Sequence, residues 1–172
     1  MGMSREELQA LQTPLKDRYR DDPEAAVVTM TAEGGVDATA VSCSVQTGRA
    51  LVEAGLHPAS GGDGTLACSG DMLLQALVAC AGVTLKAVAT NRDIPLEGAR
   101  VTAEGDLDFR GTLAVDRGAP VGFREIRLSF ELPSVPDEEL ATLLKLTERY
   151  CVVYQTLAAG VPVTVTANGN GD

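Results

Sequence analysis

A run of apolar residues from Met72 to Val88 constrains the fold of this chain more than any other part of its sequence. Four residues interrupt the run: Gln75, Gly82, Thr84 and Lys86. The apolar length therefore falls short of the ~20 residues that cross a bilayer. We expect a long helix in the core of a protein and no membrane span.

Residues on both sides of the run predict where this helix begins and ends. Ser69 is a favourable N-cap, and Asp71 places a carboxylate in the first turn, where the helix dipole favours negative charge. We expect the helix to end between Asn91 and Pro95, because proline cannot continue it. The Gly- and Pro-rich residues 55–64 before it predict a loop.

The other segments predict a mixed arrangement of helices and strands. Ser4 and Glu7 have the spacing of a capping box at the start of an amphipathic helix. The alternation of apolar and polar residues predicts a hairpin, with strands at 25–32 and 36–45 around a turn at 33–35 and with Cys43 facing the core. Further on we expect strands at 98–109 and 121–132, helices that start at Pro136 and Cys151, and a final strand at 162–167. Contiguous strands with helices in separate blocks predict the α+β class with an antiparallel sheet.

Length and charge limit the domain organisation and the partners. The 172 residues contain no linker, so we expect one domain over residues 1–172, with a helical extension at 1–22 and a frayed tail at 168–172. The formal net charge of −10 argues against a nucleic-acid partner, because neutralising phosphates requires clustered Lys and Arg. The N-terminal residues lack the basic and apolar regions of a signal peptide, which predicts a cytoplasmic protein.

Metal and phosphate sites are not predicted. The cysteines are too widely spaced for a zinc ribbon or a CxxC motif: Cys43, Cys68, Cys80 and Cys151. His57 has no second imidazole with which to bind a metal, and the loop Gly61–Gly64 lacks the GxxxxGK[ST] pattern of phosphate loops. We therefore expect no metal and no cofactor.

Two cysteine segments point to a specific chemistry. LLQALVACAGVTL places Cys80 in the middle of the long apolar helix, and ERYCVVYQTLA places Cys151 at the start of a short one. These segments resemble the two cysteine motifs of the OsmC/Ohr family, whose patterns are like LLLAALAAC and CPVSxTL. The order of helices and strands also resembles that family, so the resemblance covers nearly the whole chain.

The resemblance implies both a fold and an activity. The fold would be OsmC-like, with antiparallel sheets packed on a long central helix, in an intertwined homodimer with sites at the subunit interface. The activity would be that of a thiol peroxidase acting on organic hydroperoxides, in which Cys80 attacks the peroxide and Cys151 resolves the resulting sulfenic acid as a disulfide. A dithiol reductant would then restore both thiols.

Two positions depart from the family pattern. Family members pair the first cysteine with an arginine from the hairpin turn and with a glutamate ten residues before the cysteine, and this chain has Val36 and Gly70 at those places. Without a nearby cation, we expect burial to raise the pKa of Cys80. The candidate substitutes for the missing pair are Asp71, Arg18, Arg20 and Arg49, and Cys68 is a candidate for a second resolving thiol.

Two other functions are compatible with these residues, because a fold does not determine chemistry by itself. A catalytically weak member of the family would bind a small hydrophobic molecule in the interface pocket. A redox sensor would keep both thiols without rapid turnover. A low pKa of Cys80 would favour the enzyme, since the thiolate is the nucleophile.

Overall fold

The computed structural model describes residues 4–27, 29, 32, 34–36, 42–46 and 51–167. For residues 34–36 and 42–46 only the backbone is described. Helix α1 (Arg5–Asp21) begins with the predicted capping box. Ser4 Oγ accepts a hydrogen bond from the Glu7 N–H at 3.1 Å, and the Glu7 carboxylate accepts one from the Ser4 N–H at 2.8 Å. Arg5 then joins α1 to the rest of the protein through an ion pair of 2.6 Å with Asp93.

A four-stranded sheet follows, formed by β1 (Gly34–Val36), β2 (Ser42–Gln46), β3 (Leu51–Gly55) and β4 (Ala67–Cys68) in that order. The β1–β2 and β2–β3 pairs are antiparallel, and β3–β4 is parallel.

The predicted hairpin is wrong in its position: β1 and β2 pair as antiparallel strands, but both fall on the predicted turn and the predicted second strand. Gly34 and Gly35 lie within β1, where they pair with Val45 and Ser44. The first predicted strand, 25–32, is wrong at its start, because Pro23–Ala26 forms a 3-10 turn, for which proline fixes a suitable φ. Residues 28, 30 and 31 of that strand lie outside the described residues. The expected burial of Cys43 concerns a side chain outside the described part of the chain.

The long apolar helix is α2 (Ser69–Asn91), 23 residues in length. It ends where the sequence predicts, but its N-cap is Cys68, and Ser69 is its first residue. By length and composition α2 could cross a bilayer, with a mean hydropathy of 1.8. It packs, however, against five other elements of the chain. Its buried residues recur every four positions and form one stripe: Leu77, Ala81, Leu85 and Ala89.

The second half of the chain covers this stripe. The strands β5 (Arg100–Leu107) and β6 (Phe123–Glu131) form an antiparallel pair, with the short helix α3 (Phe109–Thr112) between them. The helices α4 (Asp137–Tyr150) and α5 (Val152–Ala159) follow, and β5, α4 and α5 all contact α2. The predicted α+β class is confirmed.

The predicted final strand at 162–167 is wrong for the single chain. Residues 161–167 pair with none of the strands that the structure describes, and they are exposed. Val163 and Val165 are 82% and 88% exposed, so this β-prone segment has no apolar surface to cover it within the chain.

Candidate functional site

Helix α2 and the junction of α4 with α5 bring two predicted site residues together. Cys151, 1% exposed, forms a buried cluster with Leu77 and Ala81. Cys80 is half-buried and packs against that cluster. The sequence places these two cysteines far apart, and the packing of α5 on α2 brings them into one site.

The position of Cys151 follows from the way α4 ends. Its φ of −75° and ψ of 107° are extended, so it is at once the C-cap of α4 and the N-cap of α5. Its N–H donates to Thr147 O and its carbonyl accepts from the Gln155 N–H, each at 2.9 Å. The first N–H groups of α5 lower the pKa of the two thiols, those of Val153 and Val152 that of Cys80 and those of Tyr154 and Val153 that of Cys151.

The pKa of Cys80 is lower than that of an ordinary thiol, which corrects the expectation from the sequence. Burial by itself raises this pKa, as expected. The backbone N–H of Val153, the thiol of Cys151, the N–H of Val152 and the hydroxyl of Thr84 outweigh burial by hydrogen bonding to the Cys80 sulfur. All of the groups that lower this pKa are neutral.

The pKa of Cys151 is shifted in the opposite direction. Burial is the main cause of its raised pKa, and the neighbouring Cys80 raises it further, against smaller opposing effects from the N–H groups of Tyr154 and Val153. Of the two thiols, Cys80 thus ionises first, while Cys151 stays protonated and donates to it. A lowered pKa suits the thiol that attacks first, because the thiolate is the nucleophile.

The predicted supporting arginines are not among the groups that lower the pKa of Cys80. Arg20 pairs with Asp17 on the exposed surface of α1, and Arg18 is exposed in the last turn of that helix. Arg49 lies outside the described residues. The guanidinium substitutes that the sequence suggests therefore find no support within the described part of the chain.

Asp71 and Cys68 lie at the far end of α2 from the thiol pair. Together with His57 and Gly70 they line a cleft of about 340 Å³. Twelve residues of helix separate Cys68 from Cys80, roughly 18 Å along the axis, and Asp71 is roughly 14 Å from Cys80. A disulfide requires Cα atoms within about 7 Å, so Cys68 cannot resolve Cys80 of the same chain.

A second cleft, of about 510 Å³, reaches the cysteine cluster at Leu77 and Tyr154, and neither Cys80 nor Cys151 lines it. It begins at Leu77 of the cysteine cluster and continues to Tyr154 and Leu157 of α5, with Arg124, Glu125 and Glu148 among its charged residues. Ile126 and Leu128 of β6 form its apolar wall. The cleft offers space for an apolar molecule at the edge of the cysteine cluster.

Sequence reasoning missed the donors to Cys80. Two are backbone groups, Val152 N–H and Val153 N–H, which have no signature in residue type. The third is the hydroxyl of Thr84. The sequence could have indicated it, because Thr84 follows Cys80 by four residues on α2 and such residues share one helix face.

Comparison with known proteins agrees with this fold. The family model described as OsmC-like protein matches residues 62–166. An OsmC-like protein from Mycoplasma pneumoniae has 16% identity and a TM-score of 0.64, over 77% of this chain and 89% of its own.

Two further structures are similar over comparable lengths. An organic hydroperoxide resistance protein from Elizabethkingia anophelis has 20% identity and a TM-score of 0.60, over 78% of this chain and 91% of its own. An organic hydroperoxide resistance protein OsmC from Legionella pneumophila has 18% identity and a TM-score of 0.59, over 77% and 90%. A search of curated proteins finds no match.

Proposed function

The chain belongs to the OsmC-like protein family, and on that basis we propose that it is a thiol peroxidase that reduces organic hydroperoxides through Cys80 and Cys151. One observation carries the proposal. The two thiols pack in one cluster, and the pKa of Cys80 is lowered while that of Cys151 is raised. Such a pair provides a thiolate that attacks and a neutral thiol that follows.

The reaction proceeds in three steps. The Cys80 thiolate attacks the terminal oxygen of the hydroperoxide, so that an S–O bond forms, the O–O bond breaks and the alkoxide leaves as the alcohol after taking a proton. Cys151 then attacks the sulfur of the Cys80 sulfenic acid, which forms the disulfide and releases water. A dithiol reductant finally reduces the disulfide and is itself oxidised to a disulfide.

The cleft that adjoins the cysteine cluster at Leu77 supports an organic substrate. Its apolar wall and its volume of about 510 Å³ suit the hydrocarbon part of a hydroperoxide better than hydrogen peroxide, which has none.

Uncovered apolar surface supports a homodimer. Leu73 and Val83 are 37% and 73% exposed, although they belong to the long apolar helix α2. The unpaired segment 161–167 adds exposed Val163 and Val165. A second copy would cover such surface, which monomeric proteins rarely leave open.

The same cleft favours the alternative function, binding of a small hydrophobic molecule without turnover. A redox sensor, the third possibility, would form the disulfide but turn over slowly. The binding function predicts no catalytic consumption of peroxide, and the sensor predicts only slow consumption.

Peroxide consumption with disulfide mapping distinguishes these functions. The reduced protein is mixed with cumene hydroperoxide and a dithiol, and turnover is compared for wild type, Cys80→Ser and Cys68→Ser. The proposal expects turnover in wild type and Cys68→Ser, none in Cys80→Ser, and a Cys80–Cys151 disulfide by mass spectrometry. Wild-type protein that never forms this disulfide would reject the peroxidase.

A further inference from the structure

One polar side chain is buried within the described part of the chain, and it belongs to Thr147 of α4, which is 1% exposed. Its hydroxyl donates to Leu143 O, one turn earlier in the same helix, at 2.8 Å. This bond satisfies the hydroxyl, as a buried polar group requires, but it joins α4 to no other helix or strand. The structural effect of the hydroxyl therefore falls on α4 itself.

Thr147 lies between the two apolar clusters that form where α4 meets α2. Leu143, four residues earlier, belongs to the cluster around Leu85. Cys151, four residues later, belongs to the cluster around Leu77. Residues four apart share one face of a helix, so Thr147 continues the face of α4 that is turned toward α2. Valine would fill this place with the same volume and a similar helix propensity, and it would bury no hydroxyl.

The same turn of α4 determines where Cys151 lies. The N–H of Cys151 donates to Thr147 O at 2.9 Å, and the chain leaves the helix at Cys151 with φ −75° and ψ 107°. A helical hydroxyl that bonds back to the carbonyl four residues earlier often bends the helix at that turn and slightly destabilises it. A bend there changes the direction in which Cys151 leaves α4, and with it the approach of the Cys151 sulfur to Cys80.

We propose that Thr147 is a positioning residue, whose hydroxyl sets the end of α4 so that the sulfur of Cys151 reaches that of Cys80. The proposal rests on the peroxidase function above, in which Cys151 performs the resolving step. In that step an S–S bond forms, the S–O bond of the Cys80 sulfenic acid breaks, and hydroxide leaves as water with the proton of the Cys151 thiol. Such a step depends on placement, since a shift of about 1 Å in a reacting group can cost about a hundredfold.

Three variants separate positioning from a purely structural role. Thr147→Val removes the hydroxyl and keeps the volume of the side chain. Thr147→Ser keeps the hydroxyl and removes the buried methyl group. Thr142→Val is the matched control, because it makes the same chemical change as Thr147→Val at an exposed position of the same helix.

The test measures how readily Cys80 and Cys151 form their disulfide in buffers of reduced and oxidised glutathione. The two thiols and one oxidised glutathione give the disulfide and two reduced glutathiones, and the equilibrium constant is the effective concentration of the thiol pair. Peptide-level mass spectrometry of quenched samples identifies the disulfide. We expect Thr147→Val to lower the effective concentration by about tenfold, as for a misplacement of less than 1 Å. Thr147→Ser and Thr142→Val should retain the wild-type value.

Urea unfolding of the reduced proteins should give the opposite order. Thr147→Val should be at least as stable as the wild type, because back-bonding of a hydroxyl slightly destabilises a helix. Thr147→Ser should be less stable, because it leaves a cavity the size of a methyl group in the core. A purely structural role would instead lower the effective concentration only in a variant that also loses stability.

A wild-type effective concentration in Thr147→Val would overturn the proposal, and so would an equal loss in Thr147→Ser or Thr142→Val. Failure of Thr147→Val to fold, or a stability that falls together with its effective concentration, would assign a structural role to the hydroxyl and overturn the proposal as well. The glutathione equilibrium involves no peroxide, so its outcome is separate from that of the peroxidase assay. A wild-type protein that forms the disulfide with glutathione but does not turn over peroxide would reject the peroxidase and leave the positioning role of Thr147 open to the same comparison of variants.

Discussion

Cys80 packs against Cys151, and the two thiols differ in access to solvent, since Cys151 is 1% exposed and Cys80 is half-buried. A reagent from solvent therefore meets Cys80 first. The difference in pKa between them acts in the same direction, because the lower pKa belongs to the more accessible thiol. Accessibility and ionisation thus assign the first attack to Cys80 in the proposed reaction.

The first prediction concerns the order of oxidation. In Cys151→Ser, one equivalent of organic hydroperoxide should convert Cys80 to a sulfenic acid that persists, because its resolving thiol is absent. Dimedone labelling followed by mass spectrometry should find the label on Cys80. The matched variant Cys80→Ser should leave Cys151 unlabelled, and labelling of Cys151 there would contradict the assignment.

The second prediction concerns alkaline stability. A folded-state pKa above the ordinary thiol value of 9.0 means that the fold favours the neutral form of Cys151. This contribution to the free energy of unfolding is fully present below pH 9.0 and is lost as the pH rises toward the raised pKa. Urea unfolding from pH 8 to 10.5 should therefore show a smaller decline for Cys151→Ala than for wild type. Equal declines would indicate that other groups determine alkaline stability.

The third prediction concerns the core. Leu143 of α4 is 0% exposed and packs with Leu85 and Ala89 of α2. Leu143→Ala should lower the free energy of unfolding by about 2–5 kcal/mol, since it removes buried apolar atoms and leaves a cavity. The control Val115→Ala, at a residue that is 73% exposed, should cost far less. Similar losses for both variants would show that α4 does not form the core against α2.

The fourth prediction concerns assembly. If a second copy covers the segment 161–167, replacing Val163 and Val165 together by Asp should shift the protein to monomers in sedimentation velocity. Charged side chains at these positions would have to be buried unpaired in such an interface. The matched variant replaces Thr164 and Thr166 by Asp, on the opposite face of an extended segment, and should disturb assembly less. A wild-type protein that is monomeric at micromolar concentration would contradict the dimer.

The sequence pattern correctly predicted helices and strands whose packing neighbours lie in the same chain. The limits of α2 follow from its apolar run, and Ile126, Leu128 and Phe130 face inward on β6 as their alternation predicts. Phe123 did not fit that alternation. A bulge between Asp106 and Leu107 in the pairing with β6 explains the misfit, because it places Phe123 opposite Leu107 on the inner face.

The incorrect predictions share a physical cause: each depends on surroundings that the type of residue does not reveal. The predicted rise in the pKa of Cys80 considered burial and charge, whereas backbone N–H groups of Val152 and Val153 decide the direction. The segment 161–167 has the composition of a strand, but a strand also needs an open edge to pair with, which composition cannot supply. Glycines 34 and 35 suit a turn and a strand equally, so local pattern could not choose between them.

The contact between Cys80 and Cys151 also joins parts of the chain that are remote in sequence. A disulfide between them would close a loop of roughly seventy residues, which contains β5, β6 and α4. Loop closure of this length restricts the unfolded chain and stabilises the native state by about 4 kcal/mol in the chain-entropy model. The oxidised protein should therefore resist thermal unfolding better than the reduced one. The dithiol that completes the proposed cycle would reduce this disulfide and so remove the stabilising loop closure.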